Sequence, residues 1–259
     1  MTKHIARKRF GQHFLVDQSI TYNIIKLAHF CREDSVVEIG PGLGALTHPL
    51  LKELDHLTLI ELDRDLIHYW QQQTQYKSQI TIVESDVLQV DFKQFPNHFR
   101  LIGNLPYNIS TPLLFHLTMS ADKWRDAHFM LQKEVVDRLT AQPGSGDYSR
   151  LTVMMSYRFH LEHLFDVPPS AFNPPPKVMS AIIRLIPKSM DRLTAHNEKL
   201  FAQVVMDAFS QRRKMLRSTL KKWVNESQWE QLAIDPQRRA ETLSVDDFVK
   251  IANFLCGIA

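Results

Sequence analysis

The sequence predicts an α/β fold, a mostly parallel sheet with helices on both faces and an antiparallel hairpin at one edge, followed by a small all-helical domain. Three observations carry that reading. Five short apolar runs alternate with stretches of helical length over the first two-thirds of the chain. Two further extended runs flank a proline cluster between 158 and 187, and from about Ala195 onward no run has strand character. Parallel strands are buried on both faces, so they read as continuous apolar runs separated by helices.

In chain order, Asp17 is placed to cap a helix whose Ile20, Ile24, Leu27 and Ala28 share one face. "SVVEIG" (35–40), "LTLIEL" (57–62), "QITIVESD" (79–86), "FRLIGN" (99–104) and "AHFMLQ" (127–132) read as strands. Between them, "ALTHPLLKEL", "DLIHYWQQQ" and "TPLLFHLTM" have the length and pattern of helices. "FHLEHLFDV" and "SAIIRLI", joined through "PPSAFNPPPK", suit a sheet edge closed by an antiparallel hairpin. The change of texture places one boundary near 187, giving domains 1–187 and 188–259.

A chain of 259 residues with 44% hydrophobic content can bury a large core. Its net charge is only +3, so a polyanion partner has to be sought in a local cluster rather than in the balance. Cys31 and Cys256 form no CxxC and are expected as reduced thiols. No apolar stretch approaches the roughly 18 residues of a membrane span, and no apolar core follows the basic start "MTKHIARKRF". A monomeric cytoplasmic protein is the expectation.

"EIGPGLG" (38–44) ends the first strand of the alternating series and leads into a helix. Gly40, Gly42 and Gly44 permit a tight turn and close approach of a ligand at a strand's carboxyl end, although a plain strand-to-helix turn has the same composition. Glu61 ends the next strand, at about the ~20-residue spacing where an acid reaches ribose hydroxyls, and Asp86 ends the third. Three successive strands thus bring ligand-grade groups to one sheet edge. A nicotinamide enzyme shares the loop and the first acid, but its GxGxxG has one more residue before the last glycine.

"GPGLG" after an acid resembles the first motif of S-adenosylmethionine-dependent methyltransferases, whose Rossmann-like fold matches the elements above. That resemblance implies S-adenosylmethionine as cofactor and S-adenosylhomocysteine as product, with Glu61 on the ribose hydroxyls and Asp86 on the adenine amine. At the fourth strand end, "NLPY" resembles the (Asn/Asp)-Pro-Pro-Tyr motif of enzymes that methylate exocyclic amines, with Leu105 at the first proline. The chemistry accounts for these residue types. An adenine N6 amine is a poor nucleophile because its lone pair is delocalised into the ring. Acceptors on its two hydrogens, the Asn104 side-chain oxygen and the Leu105 carbonyl, favour the pyramidal amine. Pro106 stiffens the backbone and removes a competing donor. Tyr107 offers a stacking face worth about 1–3 kcal/mol against the few kcal/mol that extrusion of a base costs. A capping Asn and a packing Tyr remain the alternative for the stretch taken alone.

"RKRFGQHFL" (7–15), "EIGPGLG", "GNLPYNISTPLLF", "MLQKEVVDRL" (130–139) and "FNPPPKVMSAIIRL" (172–185) stand in the order and spacing of the rRNA adenine N6,N6-dimethyltransferases, and the chain resembles the bacterial small-subunit branch. The resemblance implies dimethylation of two adjacent adenosines in the 3′-terminal hairpin of 16S rRNA within the 30S subunit, as a step of ribosome biogenesis. It puts Gln12, His13, Leu15, Gly40, Gly42 and Asn104 at the cofactor, and Phe172 opposite Tyr107 as the second wall of the base pocket. Two alternatives stay open: a large-subunit 23S rRNA dimethyltransferase of the macrolide-resistance type, and a non-catalytic assembly factor. "NLPY" followed by "STPLLF", with "NPPPKV", favours the small-subunit branch. The loop "GSGDYSRL" departs from the family pattern at Gly146, near which a lysine is common, and at Ser149, where a glycine is.

The local charge cluster lies between Ser210 and Lys222, where Arg212, Arg213, Lys214, Arg217, Lys221 and Lys222 occur without an acid. Read as a helix, the segment places Phe209, Leu216, Leu220 and Trp223 on one face and Arg213, Arg217 and Lys221 on another. A solvated face has this pattern, and so does a surface that docks on RNA phosphates. "HLEH" (160–163) is not HExxH, so no metal site is expected.

Overall fold

The computed structural model describes residues 13–257. The chain divides into two compact units, one running to Val136 and resuming over Glu162–Pro187, the other formed by Asp137–Leu161 with the chain from Lys188 onward. This departs from the single boundary expected near 187. The physical reason is packing: Tyr148, Val153 and Tyr157 are buried in one core with Phe201, Val205, Trp229 and Phe248.

The first unit runs β1 (Phe14–Leu15), α1 (Gln18–Ala28), β2 (Val36–Ile39), α2 (Thr47–Glu53), β3 (Leu57–Glu61), α3 (Arg64–Gln71), β4 (Ile80–Glu84), β5 (Phe99–Asn104), α4 (Tyr107–Thr118) and β6 (Trp124–Gln132). After α5 (Lys133–Leu139) and α6 (Arg150–Arg158) come β7 (Phe159–Val167), β8 (Phe172–Asn173) and β9 (Ser180–Pro187). Seven strands form one sheet in the order β4-β3-β2-β5-β6-β9-β7, while β1 and β8 form a separate pair. The pairings from β4 across to β6 are parallel and β9 runs antiparallel to β6. Strand order reverses between β2 and β5, and the carboxyl ends flanking such a switch point leave an open crevice.

Local chemistry sets the elements. Asp17 caps α1, its Oδ1 accepting the Ser19 amide at 2.8 Å. The buried stripe of α1 is Thr21, Ile24 and Ala28, rotated away from the expected Leu27, which is 41% exposed. All four residues of β2 are buried, as its position inside a doubly covered sheet requires. "FRLIGN" carries a cation into that same interior. Arg100 is 1% exposed on β5, and its guanidinium meets both Asp126 oxygens at 2.8 Å, Asp34 at 2.8 Å, and the carbonyls of Ala28 and His29. Phe30 lies under it, 4.4 Å from Cζ to the ring centroid.

In the second unit, α7 (Glu198–Ala208), α8 (Leu216–Thr219), α9 (Glu226–Leu232) and α10 (Val245–Cys256) surround the shared core. Asn197, Asn225 and Ser244 cap α7, α9 and α10. The continuous helix expected through the basic run is absent: α7 stops at Ala208 and only Leu216–Thr219 is helical. Backbone pairing with a distant segment interrupts it. Met215 bridges Arg239, and the amides of Leu216 and Arg217 donate to the carbonyls of Arg238 and Pro236 at 2.8 and 3.0 Å. Leu216 and Leu220 are still buried. Ser149 has extended backbone and forms a capping box with Thr152 at the start of α6, so no glycine is needed there. Among the described residues no helix is long and apolar enough to cross a membrane.

Candidate active site

The crevice at the switch point is a cavity of about 530 Å³. The glycine loop after β2 forms one wall, the ends of β3 and β4 a second, "NLPYNI" a third, and the strap from His13 to Val16 a fourth. His13, Leu15, Gly40, Gly42, Glu61, Asp86, Asn104, Leu105, Pro106 and Tyr107 all line it. Gln12, assigned to the cofactor by resemblance, lies outside the described residues. The topology explains the convergence, since β2, β3, β4 and β5 all end on the same edge.

Backbone geometry shapes the loop. Gly40 has φ +67°, and a Cβ built there meets nothing within 4 Å, so the position opens onto free space that a side chain would occupy. At Gly42, with φ +56°, a Cβ would press on the Phe14 ring at 3.2 Å. Two bonds tie the loop down: the Gly40 amide donates to Ile60 O at 2.9 Å, and Trp70 Nε1 donates to Gly42 O at 3.0 Å. The role of Trp70, buried on α3, is not evident from sequence; a tryptophan inside a short amphipathic helix after a glycine loop is the only signal it gives.

Two acids face this cavity from the interior. Glu61 Oε1 accepts the amides of Leu62 and Asp63 at 2.8 Å each. Burial raises its carboxyl above the ordinary range, and the amides of Asp63, Leu62 and Gly42 offset only part of that. Glu38, 1% exposed, is pushed up to about 8, chiefly by burial and further by the Glu61 charge. Its Oε2 has no hydrogen-bond partner. A buried carboxyl oxygen without a partner, beside a cradle of glycine backbone, fits a polar ligand that completes its hydrogen bonding. Asp86 ends this wall; its Oδ1 accepts the Leu88 amide at 3.0 Å.

Asn104 sits at the last position of β5. Its Nδ2 donates to the carbonyl of His13 at 2.9 Å. Because a carbonyl can only accept, this bond fixes which end of the amide is which, and leaves Oδ1 as the acceptor end. The Leu105 amide donates to Met130 O at 3.2 Å, holding the turn against β6. Pro106 stands at the N-cap and Tyr107 is the first residue of α4. Tyr107 is fixed from two sides: its hydroxyl shares a 2.8 Å hydrogen bond with Ser180 Oγ, and its ring stacks on His13 at 5.7 Å with 28° between planes.

Phe172 does not stand where the two-walled clamp required it. It is 4% exposed, absent from the cavity lining, and packed in the core with Leu15, Val167 and Ala171. The β1–β8 pairing explains this, since Phe172 is the register partner of Leu15. The ring beside Tyr107 is that of His13. In the second unit Arg212, Arg213, Lys214, Arg217 and Lys221 are all exposed. Arg212 donates to the carbonyl of Gly146, and Lys222 pairs with Asp207 at 2.9 Å.

The family model described as ribosomal RNA adenine dimethylase matches residues 3–256. The chain belongs to that family. It is 54% identical over 255 residues to the ribosomal RNA small subunit methyltransferase A of Dechloromonas aromatica, covering 98% of this chain and 100% of the relative. The protein of that name from Bordetella pertussis is 54% identical over 256 residues, covering 98% of this chain and 96% of the relative. Among solved structures, a dimethyladenosine transferase from Plasmodium falciparum superposes with a TM-score of 0.80 at 29% identity, over 92% of this chain and 96% of that one. The 23S rRNA methyltransferase ErmE shares the fold with a TM-score of 0.72 at 24% identity, over 94% of this chain and 99% of that one. The architecture of the family is therefore the Rossmann-like methyltransferase fold with a helical C-terminal region.

Proposed function

We propose that the protein uses S-adenosylmethionine to dimethylate N6 of two adjacent adenosines in the 3′-terminal hairpin of 16S rRNA, acting on the small ribosomal subunit in the cytoplasm. The observation that carries this reading is Asn104, which lines the cavity beside the glycine loop and whose amide is oriented by the bond from Nδ2 to the His13 carbonyl. The small-subunit choice is supported by the 54% identity to small subunit methyltransferases over nearly the whole chain.

Bound in the cavity, the cofactor supplies a methyl group already activated on a sulfonium. Gly40, Gly42, Glu61 and Asp86 would hold it, with His13, Leu15 and the unpartnered Glu38 Oε2 also lining the space. The chain's own part is positioning, which can lower a barrier by roughly 7–11 kcal/mol relative to free encounter. At the first transfer to each adenosine, Asn104 Oδ1 and the Leu105 carbonyl accept the two N6 hydrogens; at the second, the one remaining hydrogen is accepted by one of them. Tyr107, anchored to Ser180, presents its ring to the extruded base. As the C–N bond formed and the sulfonium–methyl bond broke, leaving the neutral thioether product, the amine nitrogen would become cationic and acidic, so its proton would leave to water and no dedicated base is required. Four such transfers complete two adenosines.

Labelled methyl transfer to small subunits lacking this modification, followed by mapping of the product nucleotides, tests the reading. Label on the two hairpin adenosines is expected. Label confined to large-subunit rRNA, or none, overturns it.

Two narrower results are expected. Trp70→Phe keeps most of the ring's bulk but removes the bond to Gly42 O, so S-adenosylmethionine affinity measured by calorimetry should fall by about 0.5–1.5 kcal/mol. An unchanged affinity would detach Trp70 from loop geometry. On the second unit, the exposed basic turn is assigned to rRNA phosphates. Reversing Arg213, Arg217 and Lys221 should flatten the salt dependence of small-subunit binding by roughly 0.7–0.9 in log–log slope for each phosphate no longer neutralised. An unaltered slope removes this turn from the interface.

A further inference from the structure

We propose that His13 is a positioning residue of the transfer step, resting on the methyl-transfer reading of this site: it fixes the Asn104 acceptor and the Tyr107 face together. Three contacts converge on it. Its carbonyl takes the Asn104 Nδ2 hydrogen at 2.9 Å, across 91 residues of sequence. Its ring stacks on Tyr107 at 5.7 Å. Its Nδ1 lies 2.8 Å from the carbonyl of Pro174, so Nδ1 carries the proton and donates.

The third contact gives the first its direction. β1 is only two residues long, held by the Phe14–Asn173 and Leu15–Phe172 pairs and by the Val16 amide on Ala171 O at 2.8 Å. His13 immediately precedes that pairing, and the carbonyl that meets Asn104 belongs to the planar His13–Phe14 peptide unit, which joins the strand at Phe14. The Nδ1–H bond to Pro174 is the side-chain tether that holds the other end of that unit, at the His13 Cα. Without the tether the His13 carbonyl swings away and the Asn104 amide is free to flip. A flipped amide would point N–H groups at the amine hydrogens, replacing attraction with repulsion where the reaction needs an acceptor. His13 thus links the strap, "NLPY" and the loop after β8 into one positioning unit.

Two substitutions separate tether from ring. His13→Phe keeps a stacking ring and removes the donor. His13→Asn removes the ring but places an amide N–H near the position of Nδ1–H. In single-turnover methyl transfer by the full chain, His13→Phe should be slowed roughly ten- to a hundredfold, while the S-adenosylmethionine affinity measured by calorimetry changes far less. His13→Asn should recover most of that rate. Combined with Asn104→Ala, His13→Phe should slow the reaction little further, because the group it positions is gone. A readout independent of turnover is the exchange protection of the Asn104 side-chain amide protons by NMR, assigned by their disappearance in Asn104→Ala: protected in wild type and His13→Asn, unprotected in His13→Phe.

A wild-type rate in His13→Phe, equal slowing in the Phe and Asn variants, or effects that multiply with Asn104→Ala would each overturn the proposal. Affinity falling in step with rate would make His13 a cofactor contact alone, which also overturns it. A wild-type chain that labels no rRNA would count against the proposed function, and the exchange measurement would still decide the tether.

Discussion

Asn104→Ala is expected to lower the rate of methyl transfer by about 10²–10³-fold while leaving cofactor affinity and small-subunit binding nearly intact. The magnitude is that of removing one group aimed at charge that develops in the transition state, and the sign follows from the chemistry of the amine. In the ground state the N6 nitrogen carries little positive charge; as it attacks, that charge grows and its hydrogens become stronger donors. An acceptor in place beforehand therefore binds the transition state better than the substrate, so its removal shows in kcat rather than KM. Asn104 is suited to this because the bond from Nδ2 to the His13 carbonyl holds its amide in one orientation, with Oδ1 as the acceptor end. Single-turnover rates beside calorimetric cofactor titration make the measurement. A near-normal rate would remove the amine contact from the mechanism, and a proportional fall in cofactor affinity would reassign Asn104 to cofactor binding alone.

The parts of this site readable from sequence are those whose cause is local. "EIGPGLG", Glu61, Asp86 and "NLPY" fall at strand ends by periodicity, and parallel strands necessarily end on one edge, so their convergence follows without knowledge of any contact. The unread parts depend on contacts between distant segments or on backbone atoms that leave no trace in residue type. The acceptor held by Asn104 is a main-chain carbonyl, so nothing in "QHFL" marks it. Phe172 is a core residue and not the expected wall because β1 pairs with β8, a two-residue pairing too short to show alternation. The basic run has sound helical periodicity, and Leu216 and Leu220 do face the core; the helix is broken by a bridge from Met215 to Arg239 that only the folded chain creates. Residues 137–161 read as a continuation of the first unit because the chain has no linker there, yet Tyr148, Val153 and Tyr157 belong to the second core.

Arg100 shows what an isolated cation in a fully apolar run demands, and it sets the largest expected effect on stability. Asp126→Ala should destabilise the protein by about 3–5 kcal/mol in urea unfolding. The two side chains are 2% and 3% exposed and meet through two 2.8 Å bonds, so truncating the carboxylate leaves a buried guanidinium short of half its charge compensation. Arg100 cannot escape by losing its proton, because burial, which favours the neutral form, is outweighed by Asp126 and Asp34, and its pKa is raised. Replacing both partners by Arg100→Met with Asp126→Leu removes the buried charge, the kind of exchange that is often neutral elsewhere. Here it should still cost stability, since Arg100 also serves the carbonyls of Ala28 and His29 and the carboxylate of Asp34. Asp34 adds a pH dependence with a definite sign. Burial raises its carboxyl, but the Cys31 amide and Arg100 more than reverse this, so its folded pKa is lowered. The stability it contributes is therefore complete above the unfolded value near ~4 and disappears as the pH falls through the lower folded one. Wild type and Asp34→Ala should accordingly differ most near neutrality and converge in acid; a gap that stays constant from neutral to strongly acidic pH would show that Asp34 acts through packing and not through its charge on Arg100.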